Sequence, residues 1–450
     1  MSKHGFFIVS EKLDSFSGGN MRVYRHYSGF SLTHIPKSGY HTRTLAIGVA
    51  AGGSTVRFED PNGQGEVQVP YGTAHAVEHM TLFNQESGQS LEADMAQLGA
   101  RLQTRTDYDL TVFFLESGGD LIMPGQKLLS AILNPLTTHE AFEKEKDVLR
   151  AERRLYAEQV DSRREITLNR LLYGGNGTAA NYVGRPRDLE ELTHEHLEAF
   201  HEALYLPSNL RMVAMGDYSE EALLAMVAEA IEPNIHKPHA MTVLQVADSL
   251  PPHQSHYEMY NSKEPSFHLG FRDRRRHDDT FLHGTEYFLH RWAGQIGLEL
   301  LLGDGSNLYD ELRREGWIDD RFQAGYISEV DLTMVTLSGY HMQPEQAAER
   351  VTLGLRQAIE RGLNPEDFAR MKNALIGSLL RAIDHLEEMT ILELRCALLG
   401  FDLYDYPQIL KRLDLPQVEE AVRFITDEDL QRQAVIYFMP PSMPLRRNEA

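Results

Sequence analysis

The sequence predicts an α+β protein built from two similar domains. Strand-like runs occupy the first 70 residues, a helix with the pattern H-x-x-E-H follows, and the second half of the chain repeats this order of strands and helices. The clearest trace of duplication is a pair of helices, at residues 138–152 and 364–378. Each begins with a capping residue and carries Phe at its fifth position and Lys at its ninth. A repeat of about half the chain indicates two related domains rather than a solenoid.

The elements of the first half end at a segment typical of a linker, HKPHAMTVLQVADSLPPHQSHYE, which is rich in Pro and His. We therefore predict a first domain at residues 1–232, a linker at 233–255 and a second, similar domain at 256–450.

In the first half, the predicted elements are strands in MRVYRHYSGFSLTHIP and TRTLAIGVAAGGS, the motif helix, a helix in SLEADMAQL and a pair of strands at 101–116. A long polar helix then opens at Thr137, whose capping box uses Glu140, and neither Gly nor Pro interrupts it before Gly174. The second half has a strand in FHLGFRD, a helix in TEYFLHRWAGQIGLELLLG, a strand in DLTMVTLSGY and a helix in EQAAERVTLGLRQAIERG.

The charge and composition of the chain limit its partners. A formal net charge of −22 over 450 residues argues against a protein that binds the phosphate backbone of nucleic acids, since such a protein needs a basic face. The single cysteine, Cys396, excludes an internal disulfide and is most simply a core residue in a reducing compartment. The N-terminal segment MSKHGFFIVSEKLDS has only a four-residue apolar run, which is too short for a signal peptide, and the sequence has no window of 18 apolar residues that could span a membrane, so we predict a cytoplasmic protein.

The stretch His75-Ala76-Val77-Glu78-His79 carries the candidate chemistry, and the absence of Gly and Pro from His75 to Ser87 predicts a helix there. At about 3.6 residues per turn, the two histidines lie on the same face of a helix and can bind one divalent metal, for which zinc is the usual choice. Glu78 lies beside them and can accept a proton from a water whose pKa the metal lowers to about 7. The alternative is an amphipathic helix with two solvated histidines.

A zinc site needs a third protein ligand. The long polar helix carries many acids, and most of them are expected on its solvated face. Glu145 and Glu152 are seven residues apart, two turns along one face, and spacing alone does not choose between them.

A resemblance to a known family makes this choice. Glu152 follows His79 after 72 intervening residues, in the sequence EKEKDVLRAE. The pattern of Glu145, Lys146, Val148 and Glu152 resembles the pitrilysin/insulysin family of zinc metallopeptidases, the insulinase-like inverzincins. In that family, H-x-x-E-H is followed some 70-odd residues later by a glutamate in the pattern E-[RK]-x-V-x-x-x-E. The segment GTAHAVEHMTLF is also similar to the family's G-x-x-H-x-x-E-H-x-x-F.

The resemblance implies a role for each of these residues. His75, His79 and Glu152 would bind one Zn²⁺ per chain, Glu78 would activate the water, and Glu145 would orient a ligand histidine.

The segments GSNLYDELRREGWIDDRFQ and FDLYDYPQIL resemble the short bacterial two-domain members, which work as paired chains. The resemblance therefore implies two domains that form half of a clam-shell. Each would be a mainly antiparallel sheet packed with helices on one side.

Two positions depart from the family pattern. The Asn that binds the substrate backbone is replaced by Gln103, which with Thr104 is our candidate for substrate binding. Arg313 fits the family's active-site arginine, but the place of the accompanying tyrosine falls on Asp319 or Asp320. We therefore predict a partner that supplies the Arg/Tyr pair, as a heterodimer with a homologous chain or as a homodimer.

The predicted function is a zinc endopeptidase that cleaves peptides or unfolded segments, with the substrate paired to an edge strand near residues 103–106. A narrower version is a protease that matures ribosomally made peptides. The alternative from another class is a non-catalytic assembly or binding subunit of a larger metallopeptidase-like complex. His194, His196 and His201 are not at ligand spacing with a carboxylate, so we expect them at the surface.

Overall fold

The computed structural model describes twelve stretches of the chain, which are residues 4–13, 20–60, 63, 65–84, 89–134, 138–174, 182–234, 253–274, 284–329, 332–382, 384–428 and 431–443. The chain separates into two compact units. The first unit contains Met1–Leu155, Ala180–Leu244 and Leu380–Asp405, and the second contains Tyr156–Ala179, Gln245–Leu379 and Tyr406–Ala450. Most of the predicted linker at 233–255 lies outside the described residues, so the predicted domain boundaries stay predictions.

The strands within the described residues are, in chain order, β1 (Phe6–Leu13), β2 (Asn20–His26), β3 (Ser31–Pro36), β4 (Arg43–Val49), β5 (Arg57–Glu59), β6 (Glu66–Gln68), β7 (Phe83–Asn84), β8 (Gln89–Ser90), β9 (Arg101–Thr106), β10 (Thr111–Ser117), β11 (Leu210–Gly216), β12 (His253–Met259), β13 (Ser266–Asp273), β14 (Gln323–Glu329), β15 (Leu332–Tyr340) and β16 (Gln431–Met439).

The α-helices within the described residues are, in chain order, α1 (Thr73–Thr81), α2 (Leu91–Gln97), α3 (Ile122–Leu133), α4 (His139–Glu158), α5 (Val160–Tyr173), α6 (Pro186–Glu191), α7 (His194–Leu204), α8 (Glu220–Ile231), α9 (Thr285–Leu302), α10 (Asn307–Glu315), α11 (Pro344–Arg361), α12 (Pro365–Ala382), α13 (Leu386–Leu398), α14 (Tyr406–Lys411) and α15 (Leu415–Val422). None of them is both long and apolar enough to cross a membrane.

Each unit is built on one main sheet, and the five strands of the second sheet repeat the arrangement of five neighbouring strands in the seven-stranded first sheet. In the first unit the strand order is β1-β2-β3-β11-β4-β10-β9, and in the second it is β12-β16-β13-β15-β14. The last strand of each half, β11 or β16, pairs parallel with one neighbour and antiparallel with the other, and the remaining pairs are antiparallel. The predicted α+β class, with two similar and mainly antiparallel domains, is confirmed.

The central strand β4 of the first sheet is buried on both of its faces. On β4, the side chains of Leu45, Ile47 and Val49 point into the main apolar core. The alternate residues face α13, where the hydroxyls of Thr44 and Thr390 are 2.7 Å apart. Helices therefore pack on more than the one side that was predicted.

The helix on the second face of each sheet comes from the other half of the sequence. In the first unit α13 packs on β4 and β11, and in the second unit α5 packs on β13 and β16. A glycine permits the close approach in both units, because a Cβ on Gly48 would lie 3.1 Å from Leu394 and one on Gly270 would lie 2.7 Å from Leu172.

Two helix predictions differ from the structure. The motif helix ends at Thr81, although no Gly or Pro occurs before residue 88, and the chain then enters β7. The long polar segment forms two helices, because Gln159 adopts an extended conformation and starts α5. In the described part of this segment, the hydroxyl of Thr138 accepts a hydrogen bond from the backbone N–H of Ala141 and caps α4, while Thr137 lies outside the described residues.

Two side-chain predictions were also tested by the fold. Cys396 is buried, as predicted. The expectation of a surface position for His201 is wrong, because its side chain is 8% exposed and its Nε2 lies 2.8 Å from the carbonyl oxygen of Ile132. His194 and His196 are half-buried.

Candidate metal centre

Helix α1 holds the motif in the interior of the first unit. It starts after Gly72, whose φ of 89° favours glycine and whose hypothetical Cβ would meet the carbonyl oxygen of Val183 at 3.1 Å. The helix packs against α7 and β9, and His75 and Glu78 are each only 5% exposed. This burial excludes the alternative of two solvated histidines on a surface helix.

The structure brings His75, His79 and Glu152 together. The two Nε2 atoms are 3.1 Å apart, and the carboxylate oxygens of Glu152 lie 3.6 Å from the Nε2 of His75 and 3.4 Å from the Nε2 of His79. Among the described residues, these three form the one group of His, Cys, Asp or Glu side chains that could hold a metal ion.

These distances fit a zinc ion. Tetrahedral ligands about 2.0–2.2 Å from zinc are about 3.3–3.6 Å from each other. The donor set of two imidazole nitrogens and one carboxylate oxygen is one that zinc accepts, and three protein ligands are typical of a catalytic site with an open position.

Glu145 fixes the orientation of His79. Its Oε1 lies 2.7 Å from the Nδ1 of His79, so the carboxylate accepts the Nδ1–H hydrogen bond. The lone pair of Nε2 is then directed towards His75 and Glu152. The structure therefore places Glu145 next to His79, and its role as the partner of a metal ligand stays a prediction.

The charges at this group favour one bound cation. Burial lowers the pKa of His75 to about 4, which keeps its imidazole neutral and able to donate a lone pair. Burial also disfavours the charged form of His79, but hydrogen bonds with Glu145 and Glu152 outweigh it and raise the pKa of His79 to about 10. Two carboxylates thus face two imidazoles, and either a proton or a metal ion can supply the positive charge.

Glu78 lies beside His75, His79 and Glu152, and its carboxylate makes different contacts from theirs. Burial raises the pKa of its carboxyl group, and the hydroxyls of Thr104 and Thr106 on β9 oppose this by hydrogen bonding to it. The hydroxyl of Thr106 donates to Oε2. Because Thr104 and Thr106 are two residues apart on a strand, their side chains lie on the same face.

Three further residues at the site were not predicted from the sequence. Thr106 is one, and strand alternation from the predicted Thr104 could have found it. The ring of Tyr182 meets the imidazole of His75 edge-on, with centroids 5.2 Å apart and planes at 88°. Arg153 donates from Nε to the carbonyl oxygen of Gly184 at 3.1 Å, which ties α4 to the loop that carries Tyr182. No local pattern marks these two residues, because their role depends on how the loop folds back.

The candidate substrate-binding residues lie in different places. Gln103 and Thr104 are neighbours on β9, an edge strand of the first sheet, and their side chains point to opposite faces. Arg313 is exposed on α10 in the second unit. Asp319, one of the two aspartates at the place of the family's tyrosine, forms an ion pair with Arg321. The next tyrosine along the chain, Tyr326, is out of register with that place and buried, and its hydroxyl lies 3.2 Å from the Nε2 of His290.

Two family descriptions match the chain. The insulinase description (peptidase family M16) matches residues 65–184, which contain the whole His75–His79–Glu152 group, and the peptidase M16 inactive domain matches residues 191–375. The chain belongs to the insulinase/pitrilysin family of peptidases.

Curated members of the insulinase family resemble the chain at low identity. The uncharacterized zinc protease YmfH of Bacillus subtilis is 24% identical over 400 residues, which cover 88% of this chain and 91% of that protein. The β subunit of the mitochondrial-processing peptidase of Lentinula edodes is 23% identical over 198 residues, which cover 43% of this chain and 41% of that subunit.

Solved structures of the family share the fold. An M16-like peptidase from Alicyclobacillus acidocaldarius superposes with a TM-score of 0.83 at 22% identity, covering 94% of this chain and 98% of that one. Pitrilysin superposes with a TM-score of 0.72 at 16% identity, and the match covers 98% of this chain but 47% of pitrilysin. The chain is thus the short, two-domain form of the insulinase fold.

Proposed function

We propose that the protein is a zinc-dependent endopeptidase that cleaves peptides or unfolded segments. The observation that carries this proposal is the convergence of His75, His79 and Glu152, with ligand atoms within 4.8 Å of one another and the Glu78 carboxylate buried beside them. The names of the relatives, several of which are zinc proteases, support the same choice of metal and reaction.

The side chains at the site have separate proposed roles. His75, His79 and Glu152 would hold the zinc, and Glu145 would keep His79 in the tautomer that presents Nε2. Zinc at this position would supply Lewis-acid chemistry, polarising the scissile carbonyl group and acidifying water.

Glu78 then moves the proton. Its carboxylate accepts a proton from the attacking water and delivers it to the nitrogen of the leaving amine. Burial raises the pKa of Glu78 and so brings proton acceptance and proton release closer to neutral pH.

The substrate is proposed to add to β9 as an extended strand. This strand is at the edge of its sheet, and the Glu78-bound threonines lie on it. Strand addition supplies main-chain hydrogen bonds irrespective of side chains, which suits an enzyme for unfolded segments. Cleavage of leader segments from ribosomally made peptides is one use of the same chemistry.

The test combines metal analysis with a fluorogenic peptide assay. The wild-type chain should contain one zinc, and Glu78→Gln should keep that zinc while hydrolysis falls by about 10²–10⁴-fold. Glu140→Gln, at an exposed acid on α4, is the matched control and should change neither quantity. Unchanged activity in Glu78→Gln would refute the assigned base. A non-catalytic subunit, the competing function, would hydrolyse no peptide by itself, and the activity of a complex that contains it would be unchanged by Glu78→Gln.

A partner chain belongs to this proposal. The chain corresponds to about half of pitrilysin. The place of the family's active-site tyrosine falls on Asp319, which forms an ion pair with Arg321, or on Asp320. We expect the isolated chain to be weakly active, and a homologous chain with the Arg/Tyr pair to raise the rate. Co-purification followed by a mixing assay measures this, and full activity of a monomer would contradict it.

A further inference from the structure

The edge strand β9 reaches the proposed base directly. Thr106 is 2% exposed, and its hydroxyl donates a hydrogen bond to Oε2 of Glu78. Thr104, on the same strand face, also hydrogen bonds to this carboxylate. An ionised carboxylate only accepts hydrogen bonds, so both hydroxyls act as donors to it.

These two hydroxyls occupy well-defined positions. β9 pairs with β10 over its whole length, with Thr104 opposite Phe113 and Thr106 opposite Thr111. Threonine is branched at Cβ and stiff about its first side-chain torsion, so the strand backbone sets where each hydroxyl lies. Glutamate, in contrast, has several rotatable bonds and loses its rotamer freedom only when its oxygens are bound.

We propose that Thr104 and Thr106 are positioning residues for Glu78, and that they couple the orientation of the base to the strand on which the substrate is received. This inference rests on the proposed function. A peptide added to β9 pairs with the same backbone that carries both hydroxyls. The backbone of β9 therefore positions both the bound peptide and, through the two hydroxyls, the carboxylate of Glu78. Thr104 therefore acts on the rate through Glu78, rather than only on affinity for the substrate.

Kinetics of the full-length, zinc-loaded chain separate these roles. Thr106→Val removes the hydroxyl at nearly constant shape and should lower kcat by about 10- to 100-fold with KM and zinc content unchanged, because a displaced base costs rate and not binding. Thr106→Ser keeps the donor and should restore most of kcat. Thr104→Val should lower kcat as well, whereas a purely substrate-binding Thr104 would raise KM alone.

Thr44→Val is the matched control. Thr44 is a buried hydroxyl on β4 of the same sheet, bonded to Thr390 and not to Glu78. Its loss should lower the melting temperature without changing kcat. If Thr106→Val retains the wild-type kcat, or if Thr106→Ser is as slow as Thr106→Val, the positioning role is overturned.

A second measurement does not depend on activity. Thermal unfolding of Glu78→Ala, Thr106→Val and the double variant tests the hydrogen bond itself, since contacting partners give non-additive losses. We expect the double variant to lose less in melting temperature than the sum of the single losses, and additive losses would overturn the inference. If the wild-type chain binds zinc but cleaves nothing, the proposed function fails while this cycle still decides whether the threonines hold Glu78.

Discussion

Helices α4 and α12 occupy matching positions in the two halves of the sequence and make the same packing contacts. In α4, the ammonium group of Lys146 donates to the carbonyl oxygens of Glu190 and Leu192, at the end of the six-residue α6. In α12, Lys372 donates in the same way to Lys411 and Leu413, at the end of the six-residue α14. Each ammonium also lies over a phenylalanine ring one turn earlier, at 5.6 Å for Phe142 and 5.8 Å for Phe368.

The two helices differ where the chemistry lies. Glu152 of α4 faces His75 and His79, whereas Ser378, at the matching position of α12, donates its hydroxyl to the carbonyl oxygen of Ala374 in its own helix. The same packing therefore occurs in both halves, whereas the candidate metal ligands found among the described residues lie in the first half. The lysine that binds the end of a neighbouring helix thus belongs to the packing that both halves share, while the glutamate six positions on belongs to the candidate metal site of the first half.

The largest expected effect comes from giving the first helix the residue of the second. Glu152→Ser should lower zinc affinity by more than about a hundredfold, since even indirect partners of ligands cost about 10- to 100-fold, and should abolish peptide cleavage. The reciprocal variant, Ser378→Glu, should still bind one zinc per chain. Equilibrium dialysis with metal analysis measures both, and a second zinc in Ser378→Glu would break the comparison.

A second contrast lies in α5 and α13, the helices that pack on a sheet from the other half of the sequence. Each of them buries a polar side chain against that sheet. In α5 this is the neutral Asn169, and in α13 it is Glu393. Burial raises the pKa of Glu393 to about 8, even though the backbone N–H of Leu403 donates to it at 2.7 Å. Asp402 adds to this increase and Lys12 opposes it.

The pH dependence of stability should therefore originate in the first unit. The folded chain keeps the Glu393 proton up to about pH 8, while the usual pKa is 4.5, so its contribution is complete below pH 4.5 and is lost as the pH rises through 8. Glu393→Gln should raise the free energy of unfolding at pH 9 by up to about 5 kcal/mol, because the pKa differs by about 3.5 units between the folded and unfolded chain and each unit corresponds to about 1.4 kcal/mol. Urea unfolding at pH 5 and pH 9 measures this. Glu387→Gln, exposed on the same helix, should leave the pH slope unchanged.

The smallest expected effect comes from replacing Lys146 or Lys372, the lysines at matching positions of α4 and α12. Lys146→Met and Lys372→Met keep the aliphatic stem and leave two carbonyl oxygens without their donor, which costs about 1–3 kcal/mol where the site is buried. Lys146 is the more buried of the two, so its loss should cost about 2 kcal/mol and that of Lys372 about 1 kcal/mol. Denaturant unfolding with both variants decides this, and a larger loss for Lys372→Met would show that burial does not control the cost.

Local patterns predicted much of this fold. The spacing of His75 and His79 follows from helix geometry, and the matched Phe and Lys positions of α4 and α12 revealed the duplication that the strand orders confirm. The third ligand was different, because Glu145 and Glu152 share one helix face and only the family resemblance separated them.

Other features depend on long-range packing. The break at Gln159 involves neither Gly nor Pro, and it falls where the chain leaves α4 to form the helix that packs on β13 and β16. The contact of Tyr182 with His75 requires a loop about 100 residues downstream to return to α1. No pattern within one segment carries such information.

The packing of α13 on a sheet from the first half of the sequence also constrains when the first unit can complete its folding during synthesis. The three proposed ligands have all left the ribosome long before α13, which covers the second face of the β4–β11 region and begins at Leu386. The nascent first unit must therefore wait, with apolar surface exposed, until most of the polypeptide has been made. A gene fragment that stops after the first half would leave that surface bare, so we expect it to aggregate when expressed alone.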